Sequence, residues 1–348
     1  MPNGIAADQL DDLMRSVLLN YGKPEIRQIA QKLQNYFVST YFLNNKDNKP
    51  TFDGGDGISR RLFLKRSETA EFKGLFAQDT LNLENYSQEL KVNYKHIDDG
   101  WIYDLGEMRR NKGKGLLYNL IKPREANCML NIVEKLESKF FGDALSTTDT
   151  VNPNGLKYWI VSNATTGFNG GAPGSHTTVG NIDPTAYENW KNFTAQYTKI
   201  SKEDLIDKMQ TAAFYTNFKA PIEVDGVKNP SRNGMVIVTN FATYNAMKSI
   251  AENQNDKIGT DLDAYEGKFK FQGNNIIASA QMTQNSDADV YMLNMDTFDM
   301  ICLEDSYMVR SGPKDLEGVH NGRKVFIDLE MNWVCYDRRA NSVIKAAA

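Results

Sequence analysis

The sequence predicts an α+β fold. Three observations lead there: a long amphipathic helical pattern between residues 115 and 142, strand-like runs on both sides of it, and no fixed-period repeat or heptad run.

The chain begins with two helical patterns. DQLDDLMRSVLLNYG sets Leu10, Leu13, Val17 and Leu18 on one face and stops at Gly22. After Pro24, EIRQIAQKLQNYFVSTYF repeats the spacing with Ile26, Ile29, Leu33, Phe37 and Tyr41. LNNKDNKPTFDGGDG follows as a polar, glycine-rich connector.

From Gly57 to about Arg110 the pattern changes to strands. ISRRLFLKRSE and QELKVNYKHI flank a mixed tip, TAEFKGLFAQDTLNLENYS. In the second strand Leu90, Val92, Tyr94 and His96 share one face. Past DDG the apolar phase moves to Trp101, Tyr103 and Leu105. A shift of one residue requires a bulge or a turn, and Asp99-Gly100 is the candidate position for either. The element has few apolar side chains for its length, and an isolated hairpin is marginal in water. It is expected to lie on its own domain or on a neighbouring subunit.

GLLYNLIKPREANCMLNIVEKLESKFFG is the strongest helical pattern in the first half of the chain. Leu116, Leu120, Ala126, Met129, Leu130, Val133, Leu136 and Phe140 recur at helical spacing. Pro123 should start the regular part or kink it, Gly142 is a candidate cap, and Cys128 reads as a small buried hydrophobe.

The second half is mixed. DPTAYENWKNF reads as a helix start. SKEDLIDKMQTAAFYTNF is a helix with Ser201 and Asp204 in a capping-box arrangement and a core face of Leu205, Ile206, Met209, Ala213 and Phe218. NGMVIVTN is a buried strand, and NFATYNAMKSIAENQN a helix capped by Asn240. KFKFQGNNIIASAQM, ADVYMLNM, RKVFIDLEMNWVCYDRR and NSVIK read as strands.

Composition narrows the function. Forty Lys and Arg face 44 Asp and Glu, a net charge of −4, so broad nucleic-acid binding is disfavoured and contact with DNA should be weak or local. Cys128, Cys302 and Cys335 form no CxxC pair, which excludes a zinc ribbon and fits a reducing compartment. No apolar run approaches membrane-spanning length, and the N-terminus lacks signal-peptide character.

Catalytic motifs are equally sparse. FNGGAPGSHTTVGN, residues 168–181, has glycines but neither GxxxxGK[ST] nor GxGxxG, and it reads as a flexible surface loop. His96, His176 and His320 have no ligand-spaced partner, and no GxSxG elbow occurs. No catalytic, cofactor or metal residue is assigned. The basic pairs Arg60-Arg61, Lys65-Arg66, Arg109-Arg110 and Arg338-Arg339 read as a solvated or intersubunit ion-pairing face, with a polyanion contact as the sharper alternative.

The order of elements resembles the major capsid proteins of tailed bacteriophages, the Johnson fold. KVNYKHIDDGWIYDLGEMRRN looks like the descending strand of that family's extended E-loop, which favours the bulge at Asp99-Gly100. LLYNLIKPREANCMLNIVEKLESKFFG looks like its spine helix. NGLKYWIV with the glycine-rich loop, WKNFTAQYTKISKEDLIDKMQTAAFYTNF, NQNDKIG and MNWVCYDRR are similar to a group of marine and environmental phage capsid proteins. The resemblance runs from about Asp53 to Arg339.

It implies an N-terminal arm over 1–50, an extended E-loop hairpin over 51–110, and a peripheral domain with the spine helix over 111–165. An axial domain over 166–300 and return strands over 301–348 complete the implied division. It also implies a non-enzymatic shell protein, forming hexamers and pentamers of an icosahedral head around double-stranded DNA, in virions assembled in a host bacterial cytoplasm. Portal, a separate scaffold and cement proteins are the implied partners, with no cofactor and no membrane. An encapsulin-like compartment is the alternative, and a small-molecule enzyme using the glycine-rich loop a further one. The expected intersubunit contacts are Arg60, Arg61, Lys65, Arg66, Glu68 and Glu71, whose alternating signs suit pairing across a boundary.

Overall fold

In the computed structural model, the residues described are 30–66, 69–76, 78, 85–106, 114–218, 234–253 and 270–347. The helix expected at residues 8–22 and the pair Arg109-Arg110 lie outside them.

Fifteen strands are present among the described residues. The first four are β1 (Thr51–Phe52), β2 (Gly57–Phe63), β3 (Ser87–Asn93) and β4 (Lys95–Asp104). Next come the long helix α1 (Lys114–Phe140), a single turn α2 (Leu156–Trp159), β5 (Gly167–Gly170) and β6 (Asn192–Tyr197). Helix α3 (Asp207–Tyr215), β7 (Met235–Thr239) and helix α4 (Phe241–Asn253) lead to β8 (Lys270–Phe271) and β9 (Asn274–Ala278). The short helix α5 (Ala280–Gln284), β10 (Val290–Asn294) and β11 (Phe298–Leu303) come next. The chain closes with β12 (Val309–Arg310), β13 (Lys314–Asp315), β14 (Gly322–Cys335) and β15 (Ser342–Ala346).

The chain divides into two compact units. The first contains residues 96–135 and 305–330. Here β12 and β13 pair antiparallel with β14, Val309 opposite Asp328 and Lys314 opposite Lys324, and β4 also pairs with β14. Strand β4 continues straight through Asp99-Gly100, so neither the bulge nor the hairpin turn expected there exists. A Cβ on Gly100 would come within 2.7 Å of the Val325 carbonyl oxygen, so close strand packing is what requires glycine. The phase shift instead falls at Tyr94, in the break between β3 and β4, where burial passes from the even residues Leu90 and Val92 to the odd residue Trp101.

Helix α1 lies against this sheet. Arg124 Nη1 donates to the Ile102 carbonyl at 3.2 Å, and Asn131 Nδ2 donates to Asp99 Oδ2 at 3.1 Å. Its buried stripe in this unit is Cys128 and Ile132, one position off the expected face. Ala126 and Met129 are exposed. Pro123 sits nine residues inside the helix rather than at its start, and Gly142 follows the helix without a left-handed φ. The buried Cys128 has its thiol pushed up to about 12, chiefly by desolvation.

The second unit contains the larger core. Its seven-stranded sheet runs β5-β6-β15-β10-β7-β9-β8. Strands β7 and β10 are buried at every residue, which explains why they read as unbroken apolar runs. The hairpin between β8 and β9 turns at Gln272-Gly273, both at positive φ. Helix α3 and the helical turn Lys202–Ile206 leading into it cover one face, and Leu205, Met209 and Ala213 meet Phe193, Ile237 and Met292. The Ser201 hydroxyl caps it by accepting from the Asp204 N–H at 3.2 Å, and Asn240 Oδ1 caps α4 by accepting from the Thr243 N–H at 2.8 Å. Asp204 does not close the expected box; its carboxylate accepts from Thr198 and Lys199 N–H groups.

Two further expectations change here. DPTAYENWKNF is no helix: a three-residue 3₁₀ turn, Glu188–Trp190, leads into strand β6. The expected helix over residues 25–42 is reduced, within the described part, to a turn and a half around Phe37 to Leu43.

That short segment is docked. Glu137, fully buried near the end of α1, accepts the Phe37 N–H at 2.9 Å and the Val38 N–H at 2.7 Å. Phe37, Phe42, Phe140, Phe141 and Trp333 pack around it with ring centroids 5.0–6.3 Å apart. Burial raises the Glu137 carboxyl to about 7, against the two N–H groups that lower it.

Candidate assembly surface

The β2–β3 ladder is in full register from Gly57 opposite Asn93 to Phe63 opposite Ser87. Cross-strand partners share a face, so Ile58, Arg60 and Leu62 lie with Val92, Leu90 and Gln88. Ile58, Leu90 and Val92 are buried within the chain's own second unit. Ser59, Arg61 and Phe63 form the other face with Lys91, Glu89 and Ser87.

The ladder is tied to the unit along its length. Tyr94 N–H donates to Asp56 O at 3.0 Å, and Lys91 N–H to Gly180 O at 3.1 Å. Asn189 Nδ2 donates to Leu64 O at 2.8 Å, and Gln88 Nε2 bonds the Tyr187 hydroxyl. Gly180 has φ +60, and a Cβ there would meet Leu90 at 2.3 Å and Trp159 at 3.1 Å. Only glycine lets the loop approach the ladder so closely. Of the two expected resting places for this hairpin, its own domain holds the ladder.

The tip is different. Phe72 is 109% exposed, Leu75 94% and Phe76 103%. Phe76 also has φ +70, a backbone conformation that is costly for a bulky residue. Among the described residues nothing covers these three side chains.

Of the six residues expected at the boundary, five lie among the described residues. Arg60 is exposed, and its guanidinium lies over the Tyr336 ring, 5.0 Å from the centroid. Arg61 is exposed, opposite Glu89. Lys65 and Arg66 are exposed just past the ladder, and the Arg66 charge acts on Arg339. Glu71 pairs with Lys73 at 3.0 Å, and Glu68 lies outside the described residues.

An aromatic patch beside edge strand β5 of the seven-stranded sheet was not identified from the sequence. Phe214 is 77% exposed, Tyr215 51% and Phe218 38%, so Phe218 is not the core residue it was expected to be. Tyr215 stacks on buried Phe193 at 5.6 Å, and Phe168 sits 6.0 Å from Phe218. The Arg339 guanidinium lies 4.7 Å from the Phe168 centroid and 4.6 Å from that of Phe218. Three aromatics in FYTNF at the end of a helix were the available signal.

The glycine-rich stretch is a surface loop over residues 171–178, exposed at Gly174, Ser175, Thr177 and Thr178, but it is anchored where it begins. Gly167–Gly170 forms β5, and the next carbonyls surround Arg338. That side chain is completely buried; its Nε donates to Trp159 O at 2.6 Å and its Nη1 to Trp190 O at 2.8 Å. Nη2 donates to Gly170 O at 3.1 Å, Gly171 O at 2.7 Å and Asn192 Oδ1 at 3.3 Å. Burial pushes the guanidinium down to about 10. The Gly170 and Gly171 carbonyls face a cation here, the opposite of an anion-binding loop, whose N–H groups point at a phosphate. Arg338 is therefore an internal pin and not part of a solvated ion-pairing face.

The histidines are separated. His96 lies 3.8–3.9 Å from Asp98, Asp328 and Glu330 in the first unit, beyond hydrogen-bond distance. His176 Nε2 contacts Leu145 O at 2.7 Å in the second unit. Among the described residues no group of three or more His, Cys, Asp or Glu side chains could hold a metal ion, and no helix is long and apolar enough to cross a membrane.

No family model and no curated protein matches the chain. Solved structures do. A chain of the Cyanophage A-1(L) capsid asymmetric unit is similar at TM-score 0.61 and 14% identity, over 93% of this chain and 96% of that one. A chain from the capsid of a native GTA particle gives 0.55 and 10%, over 96% and 99%. The capsid of Myoviridae Phage XM1 gives 0.54 and 11%, over the full length of both. The chain has the fold of these phage capsid chains, in agreement with the Johnson-fold expectation.

Proposed function

We propose that this chain is the major capsid protein of a tailed phage: a structural, non-enzymatic subunit whose hexamers and pentamers close an icosahedral shell around double-stranded DNA. The shared fold over nearly the whole chain supports this reading. The observation that carries it is the hairpin tip, a locked ladder ending in three uncovered apolar side chains. A monomer gains nothing from that arrangement, whereas a subunit lying across its neighbour buries it.

On this reading the arm occupies 1–50, the E-loop 51–110, the peripheral domain 111–165, the axial domain 166–300 and the return strands 301–348. Arg60, Arg61, Lys65, Arg66, Glu68 and Glu71 are the residues of the hairpin that we propose contact the next subunit. Each contact is weak alone, and several together hold a subunit in place. A net charge of −4 suits a wall that touches its genome only weakly. Portal, a separate scaffold and cement proteins are the proposed partners, and the virion, assembled in the bacterial cytoplasm, the proposed location.

Sedimentation velocity and negative-stain microscopy of the purified chain test the proposal. Closed shells or capsomers are the expected result. A lone monomer across a wide concentration range, with and without a co-expressed scaffold, would overturn it.

A further inference from the structure

We infer that the hairpin tip of one copy docks on the aromatic patch of a second copy, the surface formed by Phe168, Phe214, Tyr215, Phe218 and Arg339. This rests on the assembly reading above and names the two surfaces that meet.

A ring of identical subunits closes through two unlike patches that complement each other. The tip supplies one, with Phe72, Leu75 and Phe76. Outside the hairpin, Ile102, Met129, Val151, Phe241, Val309 and Val319 are also exposed among the described residues, and Phe241, the one aromatic of these six, has no ring contact with a described aromatic. Scattered exposed apolar residues are ordinary. Phe214, Tyr215 and Phe218 instead join half-buried Phe168 in a continuous aromatic cluster that rests on buried Phe193.

That surface is ordered before anything docks. Arg339 is sandwiched between Phe168 and Phe218, and its Nη1 donates to Asn189 Oδ1 at 2.6 Å. Side chains already fixed lose little entropy on binding. Charge agrees with shape. Residues 67–84 carry Glu68, Glu71, Asp79 and Glu84 against Lys73 alone, a net of −3. The patch carries Arg339 with Arg66 close enough for their charges to oppose each other. An acidic apolar segment relieves that opposition and covers the rings at once.

A paired-cysteine variant tests the contact. Gly74→Cys places a thiol at the tip, where a Cβ meets nothing within 4 Å, and Asn217→Cys places one between Tyr215 and Phe218. The three native cysteines are buried. Mild oxidation of assembled particles of the double variant should give a ladder of disulfide-linked species, climbing to pentamers and hexamers. Each single variant should give no species beyond a dimer. Closed particles without a ladder, or a purely intramolecular disulfide, overturn the docking inference while leaving the assembly proposal standing. An unsubstituted chain that forms no particles overturns the assembly proposal, and the inference falls with it.

Discussion

Arg338 and Glu137 show how a charged residue becomes structural. Arg338 donates to four backbone carbonyls and to Asn192 from a fully buried position, so it joins β5, α2 and the turn before β6. Arg338→Lys keeps the charge but loses the planar fork, and should destabilise the second unit by about 3 kcal/mol or more. Chemical denaturation followed by the fluorescence of Trp159 and Trp190 would measure it; a variant as stable as the parent would contradict the pin. Glu137 titrates in the docked state near 7, above its ordinary 4.5. The sign follows from that order: the protonated acid favours docking. Its contribution is complete below pH 4.5 and is lost as pH rises through 7. The interval corresponds to on the order of 3 kcal/mol. Glu137→Gln stays neutral, so its melting temperature should vary less between pH 5 and 8 than the parent's, and an unchanged slope would rule the assignment out. Neither role was legible in the sequence. The first Arg of DRR, or the second Glu of VEKLES, reads as a surface charge, because its partners lie about 100 to 180 residues away.

At the scale of elements, periodicity carried furthest where burial was one-sided or complete. Strands β7 and β10, helix α4 with its Asn240 cap, and helix α1 were all legible for that reason. Leu136 and Phe140 are buried as expected, but in the middle of α1 the stripe was misplaced by one position because apolar residues ring the helix too broadly for spacing to choose it. The phase shift was real, but its position depended on which strand paired where, and Asp99-Gly100 imitated a turn by composition. In the β2–β3 hairpin, too few apolar residues were visible, but only the structure showed that the ladder is covered and the tip is not. Phe72, Leu75 and Phe76 changed together to Ser should therefore leave the isolated chain's stability within about 0.5 kcal/mol. Assembly measured by sedimentation should be lost; full-sized particles from that variant would remove the tip from the contact.

At the scale of the whole molecule, the proposed assembly would rest on weak contacts repeated around a ring. Arg61→Glu combined with Lys65→Glu should leave circular dichroism and melting unchanged while closed particles disappear from micrographs. Normal particles would exclude these residues from the boundary. The sequence alone determined the α+β class, the order of helices and strands that resembles a phage shell protein, and the lack of any motif for phosphate or metal chemistry. Those are local properties, written in spacing and composition over ten to thirty residues. Tertiary structure decided that the glycine-rich stretch encloses a buried arginine, that the hairpin ladder rests on its own unit, and that FYTNF turns its rings outward. Each of these depends on segments brought together from distant parts of the chain, and no local pattern encodes which partner arrives.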